Sequence, residues 1–343
     1  MPAVYLPPYS KRRRRPSELV YQVDVPTARP TNTQYLIKVH FTALCRGELE
    51  WPRLLGCLDS GTVIGHDICG TVLSTPVIDE HVREGPKFKV GDQVFGFIEQ
   101  ARDGGAADCV TVEEDELAFK PQNLSAAEAC TIPSSALMAY QGLYLQLKIE
   151  EWLNSYGKKS EEPLRVLVLN GMDGIGIQVI QMLRSKSLFP GAHIWVCAAT
   201  DSPNNESFLR NELHVDEVLV LSAAIDLVRL WTERRFTPVH LALDCDGSER
   251  FHQLSNTGIL CKGGMSLSIV ESDSETSNNN MFFGPLWVDP NEEQLAIISK
   301  LAERGELKPY VDKIFELHEA VDAMKYVESH KGRGKVLLRV NYD

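Results

Sequence analysis

The sequence predicts an α/β chain in two parts: a β-rich lobe over residues 1–133, then a doubly wound parallel sheet over 134–305. Three observations predict it. Up to Pro133, short apolar runs alternate with turn residues, and long helical patterns are scarce. From Arg165 the rhythm becomes strand, glycine turn, helix, strand, which is the pattern of a parallel sheet. The 343 residues exceed one ordinary core and suit two.

The elements follow in order. Residues 35–41 and 70–74 alternate apolar and polar, as half-buried strands do. Residues 88–97 read as two β segments around a Gly91-Asp92 turn, and 109–112 and 117–121 as further short strands. Ser125, with Glu128 three residues on, has the spacing of a capping box. A second helix is predicted over 134–146, and 150–163 reads as a polar surface segment. The second part has strands at 165–170, 193–198, 218–221, 239–244 and 264–269, with helices at 175–185 and 206–213. A polar loop at 272–280, a helix at 292–305 and a strand at 334–340 close the chain.

Composition narrows the function classes. A net charge of −12 repels nucleic acid and anionic membrane surfaces, so neither is expected as a partner. No apolar run reaches the roughly 18 residues of a membrane span. The start, residues 1–8 followed by the basic run Lys11–Arg15, lacks the apolar stretch of a secretory signal; the run reads as a solvated loop before Pro16. Eight cysteines without a C-x-x-C, several beside small or apolar residues, read as reduced thiols and a cytoplasmic protein.

The motif that carries chemistry is Gly171-Met-Asp-Gly174-Ile175-Gly176 between a buried strand and an apolar helix. Such a turn lets backbone approach a pyrophosphate at a helix N-terminus, where free N–H groups and the helix dipole favour an anion. The full pattern is G-x-G-x-x-G; here Asp173 stands at the middle glycine, and its carboxylate has to turn away or be paired. At the end of the second strand an acid would grip the ribose of NADH, but that place falls on Ala198 or Ala199. The expectation is therefore NADPH, with Thr200 and Ser202 as phosphate-binding hydroxyls and NADH as the alternative.

Further motifs stand in a fixed order: Gly65-His-Asp-Ile-Cys-Gly70-Thr-Val, Phe88-Lys-Val-Gly-Asp-Gln-Val-Phe-Gly, Gly105-Ala-Ala-Asp-Cys-Val-Thr-Val, Ile132-Pro-Ser-Ser-Ala-Leu-Met-Ala-Tyr, Cys261-Lys-Gly-Gly264 and Arg333-Gly-Lys-Val-Leu-Leu. Together they resemble the medium-chain dehydrogenase/reductase superfamily, in particular its zinc-independent, quinone-oxidoreductase-like (zeta-crystallin-like) members. The resemblance implies a GroES-like catalytic domain from residues 1–133, completed by 306–343, and a Rossmann-type cofactor domain over 134–305. It also implies a small-molecule substrate and a homodimer. Cofactor contacts then fall on Arg46, Gly171, Gly174, Ile175, Gly176, Thr200, Ser202, Asp244 and Gly264.

Zinc-dependent members hold their metal with a Cys, a His-Glu pair and a second Cys. Here Cys45, His66 and Asp67 stand at the first places, but Ser134 replaces the last and Gly47 replaces a relay hydroxyl. The lobe for a structural zinc is missing, so no metal is expected. Hydride would then pass directly to a quinone or an α,β-unsaturated acceptor, with a donor for the developing oxygen charge among Tyr140, Ser134, Glu48 and Trp51. Alternatives are a trans-acting enoyl reductase, a zinc alcohol dehydrogenase and a non-catalytic nucleotide-binding protein.

Overall fold

The computed structural model describes all residues except 9–12, 57–60, 78–84, 157–161, 222–225, 246, 248, 255–256, 270–280, 283–287, 330–331 and 342–343. The loop at 272–280, Cys57, Lys11 and Arg12 therefore lie outside the described residues. The strands, in chain order, are β1 (Ala3–Leu6), β2 (Val20–Gln22), β3 (Tyr35–Leu44), β4 (Thr62–Val63), β5 (Asp67–Ser74), β6 (Gln93–Phe97), β7 (Cys109–Val112) and β8 (Leu117–Phe119). They continue as β9 (Leu164–Leu169), β10 (Ile194–Thr200), β11 (Glu217–Val220), β12 (Val239–Asp244), β13 (Leu260–Ser268), β14 (Met281–Phe282), β15 (Val311–Glu316) and β16 (Lys335–Arg339).

The chain divides into two compact units, Met1–Leu137 with Asp289–Gly305 and Pro309–Asp343, and Met138–Val288 with Glu306–Lys308. In the first unit a seven-stranded sheet has the order β15-β16-β3-β5-β6-β8, with β7 also on β3, beside a small β2-β1-β4 sheet. The strand β3 is its hub because ten residues suffice to pair with β5, β7 and β16 in turn. Its inward residues Tyr35, Ile37 and Val39 join Ile68, Val72, Phe88 and Val94 in one fully buried cluster. A second cluster packs β1 and β16 against the helix Ala320–Glu328 through Val4, Met324, Val336 and Leu338.

In the second unit the sheet order is β11-β10-β9-β12-β13-β14, and every pair is parallel. Numbered within this unit, that is 3-2-1-4-5-6, the doubly wound order in which the chain switches sides between its first and fourth strands. One face is closed by Leu167, Leu169, Cys197, Leu219, Leu227 and Trp231, all buried.

Several sequence expectations need correction. Residues 88–90 form no strand, because Lys89 N donates to the Asp92 carboxylate at 2.8 Å and closes a turn. The helix expected over 134–146 runs Pro133–Gln141 and ends in a π-helical turn, Gly142–Gln146. The segment expected to be polar surface holds the helix Ile149–Ser155, which buries Ile149 and Leu153. The helix Glu292–Glu303 was expected in the nucleotide-binding half. It packs instead with the β-rich unit: Ser299 Oγ donates to Phe119 O at 3.0 Å and Asn123 to Ala302 O at 3.1 Å. Within the basic run Arg14 is not solvated; its guanidinium is buried and bonded to Glu18 at 2.8 Å and to Pro7 O at 2.7 Å.

Candidate active site

Two places gather the residues singled out from the sequence, one in each unit. In the first unit β16, β3 and β5 lie side by side, with Val336 opposite Leu44 and Ala43 opposite Asp67. That register delivers Lys335, Cys45 and Asp67 to one end of three adjacent strands. Ser134 arrives from the first turn of the helix Pro133–Gln141, where Asp67 accepts from Ser134 N at 2.6 Å and from Ser134 Oγ at 2.6 Å.

Lys335 sits among the other three. Its Nζ donates to Cys45 Sγ at 3.0 Å, to Asp67 Oδ2 at 3.0 Å and to Ser134 Oγ at 3.1 Å. Burial disfavours this charge, yet the Asp67 carboxylate outweighs it and keeps the ammonium protonated well above the ordinary lysine range. Cys45 is the less enclosed member, and burial pushes its thiol up to about 11, so at neutral pH it is uncharged and Asp67 is the counter-ion that matters. Lys335 stands in the closing motif Arg333-Gly-Lys-Val-Leu-Leu, but a lone lysine entering a strand looks like a solvated end, and only strand register turns it inward.

Glu48 has a holding role. Its two oxygens accept from Gly65 N and from Cys45 N, the latter at 2.9 Å, and burial pushes its carboxyl up to about 7. Both oxygens are thus spent on the loops that carry Cys45 and His66, which leaves the carboxylate poorly suited to act as a donor to substrate. Burial pushes His66 down to about 3, so it is neutral, and Trp51 packs on its ring at 5.1 Å between centroids. Gly47, at φ 75°, takes the left-handed turn before Glu48 and donates its N–H to Glu328 at 3.1 Å. Tyr140 stacks on Tyr144, with centroids 4.4 Å apart, and Arg46 is partly buried. Among the described residues no group of three or more His, Cys, Asp or Glu is arranged to hold a metal ion.

In the second unit the strand ends at Leu169, Thr200, Asp244 and Ser268 form the C-terminal edge, where ligands of this fold class bind. After β9 the chain turns through Asn170 and Gly171 into the helix Gly174–Arg184. Asp173 caps that helix: its Oδ1 accepts from Ile175 N at 3.0 Å. The carboxylate is therefore paired, as expected, and it occupies one of the N–H groups a phosphate would use. Gly176 is required by close approach, since a Cβ there would strike Asn170 O and lie 2.9 Å from Gly171 Cα. This cradle suits a dinucleotide, with glycines where the backbone has to approach a phosphate.

Thr200 is buried, and its Oγ1 accepts from Asn205 at 2.9 Å, while Ser202 caps the turn Pro203–Asn205. Asp244 is buried and accepts from Ser268 Oγ at 2.8 Å, a partner the sequence did not suggest. Gly264 needs correction. It lies inside β13 beside His240 O, near the beginning of the strands, whereas ligands of this fold class bind at their C-terminal ends.

Comparison with known proteins agrees with this architecture. A family model described as an alcohol dehydrogenase GroES-like domain matches residues 31–142, and one described as a zinc-binding dehydrogenase matches 213–338. The chain is 30% identical over 313 residues to an Arthroderma benhamiae protein named "Probable zinc-binding oxidoreductase, mitochondrial", covering 90% of this chain and 88% of the other. It is also 30% identical over 318 residues to the 2-methylene-furan-3-one reductase of Solanum lycopersicum, covering 89% and 71%. The fold superposes on the quinone oxidoreductase of Coxiella burnetii with a TM-score of 0.78 at 22% identity, covering 99% of each chain.

The chain belongs to the medium-chain dehydrogenase/reductase superfamily. Within it, this is a quinone-oxidoreductase-like member and an NAD(P)H-dependent oxidoreductase.

Proposed function

We propose that the protein reduces a quinone or an α,β-unsaturated carbonyl compound with NADPH, by direct hydride transfer and without zinc. The observation that carries this reading is Lys335. An ammonium has three N–H donors, and here all three go to Cys45, Asp67 and Ser134. A catalytic zinc needs three protein ligands and an open position; this donor set already holds a cation and offers neither. The site therefore lacks a Lewis acid to polarise an isolated carbonyl. A conjugated acceptor needs none, because hydride adds to its β-carbon and the electron pair moves to the oxygen, which then takes a proton. The name of the tomato relative describes such an exocyclic enone.

Bound nicotinamide would supply the hydride. The chain's share is to hold the pyrophosphate at the Gly171–Gly176 turn and to orient the acceptor so that water is excluded. Thr200 and Ser202 support NADPH, as hydroxyls beside the adenine-ribose position with no acid on the strand itself. One observation favours NADH as a second reading: Asp201 is exposed immediately after β10, within reach of a ribose position. Seven described cysteines are free thiols, which supports a reducing compartment such as the cytoplasm, and no described helix is long and apolar enough to cross a membrane. A homodimer remains part of the proposal.

The test is a screen of the purified protein with NADPH and NADH against quinones, enones, enoyl thioesters and matched unconjugated aldehydes, with and without chelator. Turnover of conjugated acceptors that survives chelation is expected. Activity confined to simple aldehydes or alcohols, and abolished by chelator, would point to the zinc alcohol dehydrogenase reading instead. Preference for enoyl thioesters would identify the trans-acting enoyl reductase.

A further inference from the structure

We infer that Lys335 is the built-in cation of this site: its ammonium takes the place among Cys45, Asp67 and Ser134 that a divalent metal would need, and bars one from it. The inference rests on the metal-free reading above and names the residue responsible.

The geometry is that of a filled coordination shell. Cys45 Sγ stands 3.9 Å from Asp67 Oδ2 and 3.9 Å from Ser134 Oγ, and Nζ lies about equally far from all three, at 3.0 to 3.1 Å. A metal would lie at about 2.3 Å from the sulfur and about 2.0–2.2 Å from oxygen. At those distances it would sit where the three N–H bonds of the ammonium point, too close to Nζ for both cations to be held. The backbone of Lys335 is fixed in β16, which pairs with both β3 and β15, so the ammonium could leave only by rotation of its own side chain. Expelling the ammonium would also strip it of the Asp67 counter-charge while its side chain is only 10% exposed. Separating such a buried pair is strongly unfavourable, and an ion would have to offset that before gaining anything.

With its three hydrogens spent, Lys335 bonds no substrate directly. It is a positioning residue that fixes Cys45 Sγ and Ser134 Oγ relative to Asp67. A chain holding those donors could dispense with a metal by two changes, a lysine at the entry to β16 and a serine at the helix start.

Cobalt(II) uptake tests this, because a cobalt–thiolate bond gives a charge-transfer band in the near ultraviolet. S134C adds a second thiol while Lys335 remains; K335A/S134C has the same thiols and no ammonium. Wild type and S134C are expected to take up no stoichiometric cobalt and to show no band. K335A/S134C is expected to bind one cobalt per chain through thiolate. A full equivalent bound by S134C would overturn the inference, since the ammonium would then yield its place. So would a folded K335A/S134C that binds none. Should loss of Lys335 leave the chain unfolded, S134C alone decides. Turnover of wild type in chelator reports on the functional reading separately, so uptake by S134C would sink this inference and leave that reading standing.

Discussion

Glu48 and His66 are buried 3.9 Å apart and respond to pH in opposite senses. Burial raises the Glu48 carboxyl from 4.5 to about 7, so the folded state prefers its protonated form. Stability from this group is complete below pH 4.5 and is lost as pH rises towards 7. Burial lowers His66 from 6.5 to about 3; its contribution is complete above 6.5 and is lost as pH falls towards 3. In E48Q the first effect disappears. Relative to wild type, the variant's unfolding free energy should improve by about 2 kcal/mol between pH 5 and pH 8. Urea unfolding of both proteins at the two values checks this; parallel pH profiles would refute it. Asp173 offers a second test. Glycine at a helix N-cap costs only a few tenths of a kcal/mol, while loss of the carboxylate frees Ile175 N for a phosphate. D173G should therefore melt close to wild type and bind NADPH as tightly or more so; weaker binding by calorimetry would give the carboxylate a positive role in holding the nucleotide.

Among the elements, the contact between β9 and the helix Gly174–Arg184 is the most demanding. A methyl at position 176 has the Asn170 carbonyl in its way, and backbone cannot retreat as a flexible side chain can. G176A should lose about 1–3 kcal/mol of stability, with NADPH affinity falling as the turn shifts. A variant as stable as wild type would show that helix and strand are less closely packed than described. The elements legible in the sequence were those with strong period or cap chemistry. The buried runs of β9, β10 and β12 are one group, and the Ser125–Glu128 box, formed with both reciprocal bonds, is another. β15 was not legible: in Val311–Glu316 charged and apolar residues mix on a half-exposed edge, and pairing to β16 rather than composition makes it a strand.

For the whole molecule, ligand linkage separates the cofactor question from the metal question. A dinucleotide at about 100 times its Kd should stabilise the native state by about 2.7 kcal/mol. Thermal melting with NADPH is therefore expected to shift upward, whereas equimolar zinc should leave it unchanged, because the ammonium of Lys335 already fills the donor set. A melting shift with zinc that Cys45→Ser removes would contradict the metal-free reading. Each unit has its own buried core, so the cofactor's effect should be read on the transition that exposes Trp231, buried in the second unit.

The sequence by itself determined the fold class, the glycine turn between strand and helix, and the family, because these rest on local pattern: hydrophobic period, glycine spacing and motif order along the chain. The family resemblance also implied that Ser134 stands where zinc-dependent members have a metal ligand. Only the tertiary structure decided what fills that place. Lys335 is 201 residues from Ser134 and 290 from Cys45, and it meets them through strand pairing that no local pattern announces. The same holds for Gly264, which its motif put at the nucleotide and the register of β13 against β12 carries to the other end of the sheet. Local chemistry sets which elements form; register sets which side chains share a site.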